Sequence, residues 1–187
     1  MSVVDDVIEE AEGKMKKTVE FFRRELATLR AGRASPALVE RIMVDYYGTP
    51  TPINQLATIT VPEPRLLVIQ PWDKTQVGAV EKAIAKSDLG IHPQNDGHLI
   101  RLVIPPLTEE RRNEIVRMIR KKAEDERVAL RNHRREANDF LKDLCKEGDI
   151  SEDERDRALE RTQELTDKYI AELDKLLAAK EKELMEV

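Results

Sequence analysis

Aromatic side chains are scarce in this chain: three Phe, three Tyr and one Trp make up 4% of its residues. That scarcity argues against a protein that stacks single-stranded bases on exposed rings. Cysteine is nearly absent too. The single Cys145 excludes an internal disulfide and fits a reducing cytosol. It lies in an apolar helical stretch with Phe140, Leu141 and Leu144, and is read as a buried structural thiol. No apolar run approaches the roughly 20 residues that a membrane helix needs. The opening Met1-Ser-Val-Val-Asp-Asp has neither the basic nor the apolar region of a signal peptide, so a cytoplasmic protein is expected.

Signatures of catalysis are missing as well. No glycine-rich loop precedes a Lys-Ser/Thr pair, and Gly32, Gly48, Gly78, Gly90 and Gly97 stand alone. His92 and His98 bracket Asp96, but no third metal ligand has suitable spacing. Cys145 has only Lys142 and Lys146 to activate it. No catalytic residue, metal or cofactor is expected, and the chain is read as a binding protein, not an enzyme.

Charge is what the sequence has in abundance. Asp, Glu, Lys and Arg make up 37% of the residues, with a net charge of −5. The signs are separated along the chain. Residues 111–135 hold ten Lys/Arg against four Asp/Glu, whereas residues 136–187 hold nine against seventeen. A chain needing only solubility would intersperse them, so the basic segment points to an anionic partner.

Three long stretches carry helical periodicity. From residue 3 to about residue 30, Ile8, Met15, Phe22 and Leu29 recur every seven positions, with Val19 and Leu26 beside them. Ser2 and Asp5 offer a start signal, and Ala31-Gly32 a stop. A second helix begins after Pro105-Pro106-Leu107, where Thr108 is a possible cap and Glu109 and Glu110 suit the helix dipole. Its apolar face is Ile115, Ile119, Ala123, Leu130, His133, Ala137, Phe140 and Leu144. A capping box, Ser151 with Glu154, opens a third helix whose stripe is Ala158, Leu165, Tyr169, Leu173, Leu176 and Leu184. Three such stripes imply a long antiparallel three-helix bundle built from residues 1–30 and 107–187.

Residues 31–106 have a different texture. Seven prolines from Pro36 to Pro93 accompany period-two runs at 42–47, 57–61, 65–69 and 98–104, which read as strands. Thr75 to Ser87 reads as an amphipathic helix with Val77, Val80, Ala83 and Ile84 inward, and Asn95-Asp96-Gly97 as a turn. Tyr46 and Tyr47 should face opposite sides of their strand, and Trp72 should be core. This is a small α/β domain inserted into the bundle, and the fold class is α+β. Hinges are expected near 30–32 and 105–107, at Arg30, Ala31, Gly32, Pro105 and Pro106.

The basic segment admits two readings. Arg127, Arg131, Arg134 and Arg135 project largely from one side of the second helix, with Arg120, Lys121 and Lys122 a turn or two earlier. They are either a solvated face, with pairs such as Glu124 to Arg127 or Arg131, or a phosphate-binding surface. Arginine favours the second, because its planar fork matches phosphate. Phe22, Phe140 and Tyr169 sit on apolar stripes and are expected in the core. Rigid arginine-bearing helices without stacking rings suit structured RNA. A helical adaptor or chaperone-like scaffold for protein partners is the alternative; it would need exposed apolar seams.

Five segments occur in a telling order: Leu29-Arg-Ala-Gly-Arg-Ala-Ser-Pro36, Val44 to Ala57, Ala85-Lys-Ser-Asp-Leu-Gly90, Pro105 to Arg112, and Val128-Ala-Leu-Arg-Asn-His-Arg-Arg135. Together they resemble the ribosome recycling factors over essentially the whole chain. The resemblance implies an L-shaped monomer with a three-helix arm and a smaller arm, layered β/α/β. It implies binding to the large ribosomal subunit and, with elongation factor G and GTP, dissociation of the post-termination ribosome. The GTPase belongs to that partner. Carried over by motif, the ribosomal-RNA-binding residues fall at Arg30, Arg33, Arg112, Arg131, Arg134 and Arg135. The chain departs from the family at His133, where Ile or Val is usual.

Overall fold

The computed structural model describes residues 1–29 and 32–186. Arg30 and Ala31, expected at a hinge, and Arg30 as an RNA-binding residue, lie outside the described residues. In chain order the elements are α1 (Val3–Ala27), β1 (Met43–Tyr46), β2 (Thr49–Pro52), β3 (Ala57–Glu63), β4 (Leu66–Pro71), α2 (Val77–Lys86), β5 (Gln94–Asn95), β6 (Ile100–Val103), α3 (Glu109–Lys146) and α4 (Glu152–Met185). They form two compact units, one of Met1–Leu29 with Glu109–Val187 and one of Arg30–Thr108. The class is α+β.

In the first unit, side-chain pairs fix the helix directions. Lys14 meets Glu136, Thr18 meets His133 and Glu25 meets Lys122, so α1 and α3 are antiparallel. Arg120 meets Glu181 and Arg127 meets Asp174, so α3 and α4 are antiparallel as well. At 1.5 Å per residue the 38-residue α3 is about 57 Å long. Met15, Val19, Phe22 and Leu26 of α1, Ile119, Ala123 and Leu130 of α3, and Tyr169 and Leu173 of α4 are buried. Val7, Ala11, Ala137, Leu141, Leu144, Ile150 and Ala158 form a second cluster, with Cys145 half-buried at its edge.

Reciprocal capping boxes start α1 and α4. The Ser2 hydroxyl accepts from the Asp5 amide at 3.2 Å while the Asp5 carboxylate accepts from the Ser2 amide at 3.2 Å. Ser151 and Glu154 repeat this at 3.1 and 2.8 Å. The Ser2 hydrogen bonds, with Arg161 beyond them, hold the Asp5 carboxyl down to about 2. Ser151→Ala should lower unfolding stability by about 1 kcal/mol, because it leaves an amide of the first turn without its acceptor. Urea titration of the wild type and variant measures this.

Two apolar expectations for this unit change. Phe140 is 51% exposed, and Leu141 beside it takes the buried place. Position 141 lies eleven residues from Leu130, just over three full turns, so it returns to the core face where 140 falls short. On α4, Leu165 and Leu176 are half-buried while Thr162 and Thr166 are buried. Their hydroxyls are satisfied inside the bundle. Thr162 donates to Asn138 Oδ1 at 2.6 Å, and Thr166 to the Thr162 carbonyl at 2.7 Å. Helix α1 also stops at Ala27, earlier than its periodicity suggests. The Thr28 hydroxyl donates to the Glu25 carbonyl at 2.7 Å and closes the last turn.

The second unit holds an antiparallel β1–β2 hairpin and an antiparallel sheet of order β3-β4-β6-β5. Tyr47 and Gly48 form the hairpin turn with φ of 50° and 85°, and Asp45 Oδ1 accepts from the Gly48 amide at 2.8 Å. Helix α2 packs against β1 and also against β4 and β5. Val77, Val80 and Ile84 join Val39, Val44 and Ile53 from the hairpin side and Leu67, Ile69, Ile100 and Leu102 from the sheet in one core. β2 carries Pro50 and Pro52, and in a two-stranded ribbon each strand is an edge, where a missing N–H is tolerated.

Trp72 is not core. It is 65% exposed and donates from Nε1 to Thr58 Oγ1 at 2.8 Å. Residue 72 follows the last paired position of β4, Pro71, so it lies past the end of the strand pairing. Tyr46 packs on the core edge, whereas Tyr47 is exposed and donates to Asp73 Oδ2 at 3.1 Å. Gly32, at φ 71°, is buried, and a side chain there would lie 3.3 Å from the Leu107 amide.

Candidate nucleic-acid interface

Helix α3 presents its cations in three ways. The first group is neutralised across the bundle. Arg120 Nε donates to Glu181 Oε1 at 2.6 Å, Arg127 donates twice to Asp174 Oδ1 at 2.9 and 2.7 Å, and Lys122 reaches Glu25 at 2.5 Å. Hydrogen bonds to Asp174 and then Glu124 raise the Arg127 guanidinium above its ordinary value, and Glu181 does the same for Arg120. These residues tie the bundle together and are poorly placed to bind anything else.

Arg131 forms an intermediate case. Its Nη1 lies 3.3 Å from Glu124 Oε1, but Glu124 also serves Arg127 at 3.0 Å. Hydrogen bonds from Arg127 and then Arg131 keep the Glu124 carboxyl below its usual range. Two guanidinium groups therefore share the Glu124 carboxylate, while Arg127 is also held by Asp174, so Arg131 has the weaker and more distant hold on an acid.

Arg134 and Arg135 make up the third group. Arg134 Nη1 donates to the amide oxygen of Gln163 at 2.6 Å, and Arg135 Nη1 to Asn132 Oδ1 at 3.4 Å. Neither partner is charged, so both cations keep their full charge. Arg134 stands one position past His133, on the flank of the stripe defined by Leu130, Ala137 and Leu141, and is half-buried; Arg135 is exposed. Arg131, Arg134 and Arg135 span little more than one turn, a compact positive cluster on a rigid element.

Arg112 is placed otherwise. It lies three and seven residues before Ile115 and Ile119, on the buried face of α3, and its Nε is buried without a hydrogen-bond partner among the described residues. Nineteen residues, about 28 Å of helix, separate it from Arg131. Arg33 is exposed and belongs to the other unit. Along α3 the structure therefore brings Arg131, Arg134 and Arg135 together and leaves Arg112 apart from them.

Exposed Arg117 lies eighteen residues, five full helical turns, before Arg135 and so shares its face; it went unnoticed in the linear pattern. Exposed Lys121 lies one turn after it. Counting turns instead of sequence runs would have found Arg117.

His133 sits between the cluster and α1. Its Nε2 lies 3.0 Å from Thr18 Oγ1, while its Nδ1 is buried without a hydrogen-bond partner among the described residues. Burial pushes the imidazole below its ordinary value, Glu136 opposing the shift and Lys14 adding to it. An unfolded chain then takes up this proton before the folded one does. Stability from His133 is thus complete above the unfolded value of about 6.5 and is lost as pH falls through the lower folded value. His133→Val should flatten the stability profile between about pH 7 and pH 5. Chemical denaturation at several pH values tests this, and an unchanged slope would refute it.

Among the described residues there is no group of three or more His, Cys, Asp or Glu arranged to hold a metal ion, and no helix long and apolar enough to cross a membrane.

Comparison with known proteins adds a second line of observation. The family model described as "Ribosome recycling factor" matches residues 22–185. Ribosome-recycling factors of Syntrophomonas wolfei and Carboxydothermus hydrogenoformans are 60% and 59% identical, each over 99% of this chain and 100% of the relative. A solution structure of the ribosome recycling factor, 54% identical, superimposes with a TM-score of 0.73 over 100% of both chains. A second structure concerns the T. thermophilus ribosome recycling factor and the E. coli elongation factor G bound to the E. coli post-termination complex. Its matching chain is 49% identical with a TM-score of 0.60, over 99% of this chain and 100% of that one.

Proposed function

Since the chain belongs to the ribosome recycling factor family, we propose that it binds the post-termination ribosome and, together with elongation factor G and GTP, dissociates it into subunits and frees the mRNA. The large subunit is the docking site, and its structured RNA is the ligand of α3. GTP hydrolysis is the elongation factor's work; this chain contributes binding and shape, not catalysis, and acts in the cytoplasm as a monomer.

The observation that carries this reading is the charge left over on α3. Arg131, Arg134 and Arg135 share one rigid stretch of helix, and among the described residues Arg134 and Arg135 bond to the neutral side chains of Gln163 and Asn132. A guanidinium that is oriented but not neutralised is suited to a phosphate oxygen. Arg30 and Arg33 extend the interface by motif. Arg112 belongs with them by motif, although its inward Nε leaves only the outer nitrogens for RNA.

Equilibrium binding to isolated large subunits at several salt concentrations tests the proposal. The logarithm of the binding constant should fall linearly with the logarithm of salt concentration, because each phosphate contact releases counterions. Binding indifferent to salt, or GTP turnover by the pure protein, would contradict it.

A further inference from the structure

Three arginines of α3 reach across to α4, and their partners form a series. Arg120 meets Glu181, Arg127 meets Asp174, and Arg134 meets Gln163. The arginines are seven residues apart, close to two turns, and their partners seven and eleven apart, close to two and three turns. The first two rungs keep one antiparallel register, in which the residue matching Arg134 would be Asp167; the third rung, Arg134 with Gln163, lies one turn out of it. The first two rungs are salt bridges, and the third is not.

The amide at the third rung is itself held. Gln163 Oε1 accepts from Arg134 Nη1 at 2.6 Å, and Gln163 Nε2 donates to Asp167 Oδ1 at 2.9 Å, one turn along α4. Turning the amide over would point its NH2 at a guanidinium and its oxygen at a carboxylate, losing both bonds. Asp167 thus keeps the amide oxygen facing Arg134. A glutamate at this position, nearly the same size, would form a salt bridge with Arg134 and cancel its charge.

We propose that Gln163 is a positioning residue for the RNA contact of Arg134, fixing the direction of its guanidinium while leaving its charge available to phosphate, with Asp167 setting the amide. The inference rests on the reading of Arg134 as an RNA contact.

Binding to isolated large subunits is measured for the wild type, Arg134→Ala, Gln163→Glu, Gln163→Ala and the double variant Arg134→Ala/Gln163→Glu, each with a thermal melt. Gln163→Glu should weaken binding about tenfold and make its salt dependence shallower, with the melting temperature held. Gln163→Ala should cost only a few-fold, since the charge survives and only its orientation is lost. In the Arg134→Ala background, Gln163→Glu should change binding by about twofold or less. Wild-type binding by Gln163→Glu beside weakened binding by Arg134→Ala would overturn this inference and leave the reading of Arg134 intact. Additive losses in the double variant would overturn it too, since the new charge would then act without Arg134. Wild-type binding by Arg134→Ala would instead overturn the RNA-contact reading itself.

Discussion

Arg134→Ala is expected to weaken binding to the large ribosomal subunit by roughly 1.5–3 kcal/mol, on the order of 10- to 100-fold, while the fold stays intact. The loss follows from removing a charge-assisted hydrogen bond to phosphate that a neighbouring side chain cannot replace. Arg131 shares Glu124 with Arg127, and Arg135 leaves the helix on a different bearing. Stability should change by less than about 1 kcal/mol, because alanine keeps helix propensity and the lost bond joins two residues at the surface of the bundle. Binding should also become less sensitive to salt, since one fewer phosphate is neutralised. Thermal melts paired with subunit binding separate these effects. An unfolded variant would place Arg134 in the structural framework, and wild-type affinity would remove it from the interface.

Phe22→Ala should cost far more stability, about 3–5 kcal/mol, and is expected to leave the bundle marginal. The ring is 1% exposed, on the same face of α1 as Met15, Val19 and Leu26. Truncating it leaves a cavity that helices pinned by capping boxes and cross-helix salt bridges cannot readily collapse. Phe140→Ala is the matched control. Its ring is 51% exposed, and its removal should change stability by less than about 1 kcal/mol. Guanidinium titration of both variants measures the difference; equal losses would mean that the burial assigned to one of the two rings is wrong.

That pair also shows what was legible in the sequence. On α1 the repeat at Ile8, Met15 and Phe22 kept its phase, and each of these residues is buried. Over the 38 residues of α3, the choice between neighbours 140 and 141 depends on accumulated phase, and the aromatic drew the assignment outward. The capping boxes at Ser2 and Ser151 were readable because their chemistry is local. Burial of Thr162 and Thr166 was not, since the partners that make a buried hydroxyl acceptable come from the folded helices. Strand β2 hid behind Pro50 and Pro52, which only its edge position permits, and β5 has just two residues.

The basic segment was legible in composition but not in allocation. Its excess charge is visible by counting, yet which cations remain available depends on α4. Asp174 and Glu181 lie 47 and 61 residues from the arginines they bind. Likewise the sequence placed Arg112 by motif, while the inward side of α3 at that position became apparent only from the packed bundle.

Sucrose-gradient sedimentation of post-termination ribosomes tests the central claim most directly. Ribosomes incubated with this protein, elongation factor G and GTP should shift from the intact particle to separate subunits, and omission of any one component should leave the intact peak. Intact ribosomes in the complete mixture, or equal dissociation when this protein is left out, would contradict the account.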